Sequence, residues 1–168
     1  MMDSSIERRE SVRTVDNQAY LGMLKDLILD GKEVSLTVSG NSMSPFIVHQ
    51  RDSVLLAPVV RPLRKGDIVF YQRCNAAYVL HRICRVNADG TYDIVGDAQV
   101  EIEKRVTRGQ IFAAVAMVRR KGRDIRPGNF RWFFFARVWI RIIPLRPFLM
   151  RVLTAAKAAK CGWFSENF

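Results

Sequence analysis

DIVFYQRCNAAYVLHRICRV, residues 67–86, decides the fold. It contains two runs, DIVFYQR (67–73) and AYVLHRICRV (77–86), rich in the β-branched and aromatic side chains that fit a pleated, half-buried surface. Outward from it, EVSLTVS (33–39), SVLLAP (53–58), TYDIV (91–95) and QIFAAVAMV (110–118) have the same character. Turn chemistry separates them at Arg64-Lys65-Gly66-Asp67 and at Asn87-Ala88-Asp89-Gly90, the second ending in the Asp-Gly pair typical of tight turns. Many short strands without an interleaved helical pattern predict a mainly β, antiparallel domain, closed as a small barrel or packed as two sheets. One short helix precedes it: in DNQAYLGMLKDLILDGK (16–32), Tyr20, Leu24, Leu27 and Ile28 share a face, with Asp16 as candidate N-cap and Gly31 as candidate stop.

A chain of 168 residues, 49% of them hydrophobic, supports one domain with a real core, and disorder throughout is excluded. The expected organisation is a flexible N-terminus (1–15), the β domain (16–120) and a basic helical tail (121–168), the boundary falling in KGRDIRPGN (121–129). Cys74, Cys84 and Cys161 are odd in number and match neither a redox pair nor a zinc ligand set. A reducing, cytoplasmic compartment is expected, and neither cofactor nor metal. MMDSSIERRESVRTVDNQ has no apolar core and mixes both charges, unlike a secretory signal or anchor.

The net charge of +11 is local. Twelve basic residues and one acid, Asp124, lie between Arg119 and Lys160, so the remainder is balanced. NFRWFFFARVWIRIIPLRPFLMRVLTAAKAAKCGWF is apolar enough to suggest a membrane span, but Arg137, Arg141, Arg146 and Arg151 would lie inside it. Each arginine near a helix centre costs roughly 2.5–3.5 kcal/mol, and Pro144 and Pro147 interrupt the helix. Trp132, Phe135, Val138, Trp139, Ile142 and Ile143 share a face, with Arg137 and Arg141 on another. Past Pro147, Arg151, Thr154 and Lys157 recur at every third position. Two expectations follow: Trp132, Phe135, Arg137, Trp139 and Arg141 contact an anionic membrane on its inner face, or the aromatic face packs on the β domain or a partner.

The chemistry is concentrated in VSGNSMSPF, residues 38–46. A serine is a weak nucleophile at neutral pH; it needs a base within hydrogen-bond reach and donors for the developing oxyanion. Ser42 is the candidate nucleophile. Gly40 lets backbone approach a scissile carbonyl closely, and Gly40, Asn41 and Met43 are the candidate oxyanion and substrate-binding positions beside the N–H of Ser42 itself.

GNSMSP is followed in order by RDSVLLAP (51–58), LRKGDIVFY (63–71), YVLHRICRV (78–86) and YDIVGDAQ (92–99). This ordered series resembles the superfamily of serine peptidases that contains the signal peptidases and LexA-like proteins, over about residues 34–118. The resemblance implies Ser42 as nucleophile, His81 of LHRI as general base in the manner of the archaeal and endoplasmic-reticulum type, and Asp97 of the GDA box as the orienting or supporting carboxylate, with Asp93 as its substitute. Gly40 stands where many signal peptidases have a serine, and GDA replaces the commoner GDN. A histidine with an ordinary pKa near 6.5 is largely neutral at pH 7 and can accept the serine proton without burial. His49 lies outside the matched boxes and reads as a surface residue; Arg82 faces away from His81, towards a carboxylate or solvent.

The expected function is thus a serine endopeptidase cleaving an extended polypeptide, after small residues, with the substrate added beside the catalytic strands. A non-catalytic peptide-binding or membrane-docking module on the same fold is the alternative. No nucleic-acid partner is expected: only about thirty residues precede the first strand, too few for a winged-helix reader.

Overall fold

The computed structural model describes residues 18–153. The expected flexible segment 1–15, the candidate cap Asp16, and Thr154, Lys157 and Cys161 lie outside the described residues.

Helix α1 runs over residues 18–29. Leu24 and Ile28 are buried and Leu27 is half-buried, whereas Tyr20 is exposed and Leu21 packs on the core instead. Gly31, at φ 85°, ends the helix: its N–H donates to the carbonyl of Ile28, and that of Lys32 to Leu27. Left-handed backbone of this kind satisfies the last free carbonyls at little steric cost to glycine.

Eight antiparallel strands follow: β1 (Val34–Thr37), β2 (Ser53–Pro58), β3 (Ile68–Gln72), β4 (Tyr78–Val86), β5 (Tyr92–Val95), β6 (Glu103–Val106), β7 (Ile111–Arg120) and β8 (Arg123–Ile125). They form one sheet in the order β1-β2-β7-β3-β4-β5-β6, with β8 paired to β7. The expected mainly β antiparallel class is observed. The sheet is open, with β1 and β6 at its ends, and is neither a closed barrel nor a pair of sheets.

Side chains alternate across the strands. Ile68 and Phe70 join a large cluster that includes Ile28, Met43, Phe46 and Ile47; Val69 and Tyr71 join a second one with Ile83, Ile94 and Ile111. The same alternation separates His81, which pairs in register with Val69, from its neighbour Arg82.

The expected domain boundary at residue 121 is not an architectural one. β8 extends the sheet within the presumed linker, and the segment beyond it closes the large cluster. That segment starts as a short helix, α2 (Phe130–Phe133), capped by Asn129, whose side chain accepts from Arg131 N. It continues through a π-helical turn (Phe134–Val138) and a 3-10 stretch (Trp139–Leu145), kinks at Ile142 two residues before Pro144, and re-enters helix over 146–153. A proline two residues on cannot supply the N–H that a regular helix needs.

Trp132, Phe135 and Trp139, expected at a membrane, are buried to 6%, 8% and 4% exposure. Phe46 meets Trp132 edge-on at 5.8 Å and Phe135 at 4.8 Å between ring centroids. These rings therefore cover the β domain; Arg137 and Arg141 alone of the expected membrane residues face outward. Gly66 marks how close the packing is: at φ 99°, it would place a Cβ 2.8 Å from that of Ala136.

Candidate active site

The loop carrying Ser42 is anchored on both sides. Met43, Phe46 and Ile47 are buried behind it. Ser44 N donates to Asn41 O, Ile47 N to Met43 O, and Gln50 N to Val38 O. Fully buried Asp52 closes the loop, its carboxylate accepting from Val48 N at 2.9 Å and from the Arg51 guanidinium. Burial opposes the ionised form of Asp52, but those hydrogen bonds outweigh it and hold its pKa below the usual carboxylate value. Ser42 is left half-buried between exposed Asn41 and buried Met43.

His81 reaches the same place from β4. Arg82 pairs in register with Val95, the last residue of β5, so the chain leaves β5 directly into Gly96 and Asp97 beside His81 and Arg82. The meeting point is Gly96. A Cβ there would stand 2.7 Å from the carbonyl oxygen of Ser42 and 3.0 Å from His81 Nε2. Ala98 N donates to that Ser42 oxygen at 2.7 Å, tying the serine loop to the GDA box. Ser42 and His81 line one cavity of about 250 Å³, together with Val38, Met43, Tyr78, Leu80 and Gln99 among others.

The other nitrogen of the imidazole faces a different carboxylate from the one expected. His81 Nδ1 lies 3.5 Å from Glu103 Oε1 and 3.5 Å from the Tyr71 hydroxyl. Glu103 is also held by Arg73 through two hydrogen bonds, that from Nε being 2.9 Å long. Burial lowers the pKa of His81 most, and the positive charge of Arg73 lowers it further; Glu103 and Asp97 pull the other way, leaving it at about 4. At neutral pH the ring is therefore uncharged; the Glu103 carboxylate beside Nδ1 favours the proton on that nitrogen, and Nε2 is the one on the Gly96 side. Burial, absent from the sequence-level argument, is the main cause.

Asp97 does not orient His81. Both its oxygens are engaged by Arg82, Nε to Oδ1 at 2.9 Å and Nη2 to Oδ2 at 2.7 Å, with the two side chains fully buried. Arg82 also donates to Gly66 O at 3.0 Å and lies over the Phe46 ring at 5.1 Å. Of the two expectations for Arg82, a carboxylate partner or solvent, the structure shows the carboxylate. The pair fastens β4 to the GDA box, so Asp97 supports the site through the backbone around Gly96. Asp93 accepts from Asn87 and from Arg105 N, and takes no part.

The candidate oxyanion positions divide. Met43 lines the cavity from the core side, whereas Gly40 and Asn41 are exposed and outside its walls. Gly40 N donates to His49 Nδ1 at 2.9 Å, so it is not free for an oxyanion, and half-buried His49 is a brace of the loop instead of a bare surface residue. Glycine is needed at 40 because φ is 97°, not for close approach: a Cβ there meets nothing within 4 Å.

Sequence reasoning missed two further contributors. Glu103 sits on β6, EKRV, too charged to read as a strand. Arg146, read as a charge opposing membrane insertion, is fully buried and donates to Gly96 O (2.7 Å), Gln99 O (2.8 Å) and Trp139 O (3.2 Å); Trp139 Nε1 donates to Asp97 O at 2.7 Å. The C-terminal segment thus clamps the loop on which Ser42 and His81 converge. In sequence Arg146 was one of several arginines spaced through an apolar run, with nothing to single it out. No family model, curated protein or solved structure matches the chain.

Proposed function

We propose that the chain is a serine endopeptidase resembling the signal-peptidase and LexA-like superfamily, and that it cleaves an extended polypeptide through an acyl-enzyme on Ser42. The observation that carries the reading is the convergence of the Ser42 backbone and His81 Nε2 on Gly96, at the wall of one cavity. As Ser42 Oγ bonds the scissile carbonyl carbon, Nε2 takes its proton; the C–N bond then breaks and the imidazolium returns that proton to the departing amine. Water, deprotonated by the same nitrogen, cleaves the ester and restores the serine. Glu103 and Tyr71 keep the proton on Nδ1 and so keep Nε2 ready, and the negative charge of Glu103 offsets the cost of forming imidazolium in a buried place.

The cavity walls of Val38, Met43 and Leu80 suit a small apolar residue before the cleaved bond. β1 ends the strand order, and the chain just past it, Val38 and Ser39, lines the cavity, which supports substrate binding as an added strand along β1. Free thiols at Cys74 and Cys84 fit a reducing, cytoplasmic compartment.

The test is covalent. A fluorophosphonate probe should label the wild-type protein on Ser42 and label neither Ser42→Ala nor His81→Ala, with peptide-library cleavage read by mass spectrometry showing the same dependence. No labelling in buffer, detergent or lipid would instead make the chain a peptide-binding module without catalysis.

A further inference from the structure

The outer face of the C-terminal segment is not used by the proposed site. Turning Trp132, Phe135, Trp139 and Arg146 inward leaves a second stripe outside. It includes Phe130, Phe133, Arg137, Arg141, Leu145 and Phe148, which recur every three or four residues through the successive helical turns. The four apolar members are 78%, 55%, 58% and 69% exposed, and both arginines are exposed. Large apolar side chains this open, gathered in one short segment, mark a surface that meets something other than water.

The charge says what. No acidic residue occurs between Asp124 and Glu166. Beside the stripe lies a cleft of about 600 Å³ whose walls include Arg64, Lys65, Phe130, Phe133 and Arg137; the acid there, Asp67, is neutralised by Arg61 at 2.8 and 2.9 Å. Aromatics on either side of two exposed arginines that have no ion pair among the described residues, next to a basic cleft, match the two layers of an anionic bilayer surface: an acyl boundary for the rings and phosphates for the cations. The aliphatic members, Leu145 and neighbouring Val138, gain from an acyl layer and would gain nothing from stacked bases. Among the described residues no helix is long and apolar enough to cross a membrane.

We propose that this stripe docks the protein on membranes rich in anionic phospholipid, with Phe130, Phe133 and Phe148 in the headgroup region and Arg137, Arg141, Arg64 and Lys65 on phosphate. The inference does not rest on the peptidase reading.

The experiment is sedimentation of the full chain with vesicles of phosphatidylcholine alone or mixed with phosphatidylglycerol, at low and high salt. Binding should require phosphatidylglycerol and weaken with salt. Replacing Lys65, Arg137 and Arg141 together by Gln should lower partitioning on the order of 100-fold, from the usual contribution of a basic residue near an anionic surface. Phe130→Ser/Phe133→Ser should abolish binding with every arginine in place, and the single exposed change Phe148→Ser should weaken it if the double variant proves unstable by circular dichroism. Ser42→Ala should bind as wild type does, which separates this outcome from any failure of the peptidase proposal. Failure to bind phosphatidylglycerol vesicles, or equal binding to both vesicle types, overturns the proposal. So does a dimer dissolved by Phe130→Ser/Phe133→Ser, or DNA binding lost in the arginine variant, where either occurs without vesicle binding.

Discussion

Gly96→Ala introduces one methyl group at the point where Ser42 and His81 converge. The new Cβ would lie 2.7 Å from the Ser42 carbonyl oxygen, 2.7 Å from Gln99 Oε1 and 3.0 Å from His81 Nε2. Gln99 is exposed and can swing aside. The Ser42 carbonyl cannot, because Ala98 N holds it at 2.7 Å and the buried side chains of Met43, Phe46 and Ile47 stand behind the loop. The backbone at Gly96 is not left-handed, so the substitution tests contact alone. Restoring an ordinary separation requires the serine loop and the imidazole to part by roughly 0.5 Å or more. Overpacking of this kind costs about 1–3 kcal/mol of stability, and a displacement approaching 1 Å at reacting groups costs up to roughly 100-fold in rate. The assay is the rate of fluorophosphonate labelling of Ser42 near neutral pH, with urea unfolding to establish that the variant is folded. Gly109→Ala is the control, since a Cβ there meets nothing within 4 Å. A folded Gly96→Ala protein that labels at the wild-type rate would refute the argument that this convergence sets the geometry of the pair.

Four other outcomes are expected. Labelling should rise with pH through a midpoint of about 4 and stay flat from neutrality upward, since that is where His81 loses its proton; a midpoint near 6.5 would mean the ring is not buried as described. Because the unfolded chain binds that proton with a pKa near 6.5, it takes up more protons than the folded state between 6.5 and about 4; stability falls as pH drops through this window, by about 3 kcal/mol in all, and His81→Gln should flatten the slope in urea unfolding. Glu103→Gln should slow labelling by roughly 10- to 100-fold through loss of ring orientation, and move the acid limb lower, since it removes a charge that favours imidazolium while Arg73 remains; an upward shift contradicts the assignment. Asp97→Asn should destabilise by about 3–5 kcal/mol by leaving Arg82 buried without its counter-ion, and Arg82→Met/Asp97→Leu should recover much of that; an unchanged urea midpoint for Asp97→Asn refutes the structural role.

Six strands were legible from composition because period-two packing selects β-branched and aromatic residues locally; SVLLAP coincides with β2 and AYVLHRICRV with β4 apart from its first residue. β6 and β8 were not legible: EKRV and RDI are charged end or side strands whose place in the sheet comes from their neighbours. The open sheet was undecided for a related reason, since closure depends on whether β1 and β6 meet and not on which residues form strands.

At the site, the sequence by itself determined that a serine on a small-residue turn and a histidine on a strand occur in an ordered series of boxes. Only the tertiary structure decided which carboxylate each ring or cation meets. Asp97 is closer to His81 in sequence, yet alternation along β4 sends Arg82 to its side of the sheet and leaves His81 facing Glu103, delivered two strands away by β6. The tail is the same case. Its two helical stripes both carry rings and arginines, and periodicity cannot tell which one faces inward; the rings around Phe46 and the carbonyls of Gly96 and Gln99 that Arg146 meets do, because a buried surface selects the side chains that complete its packing and its hydrogen bonds.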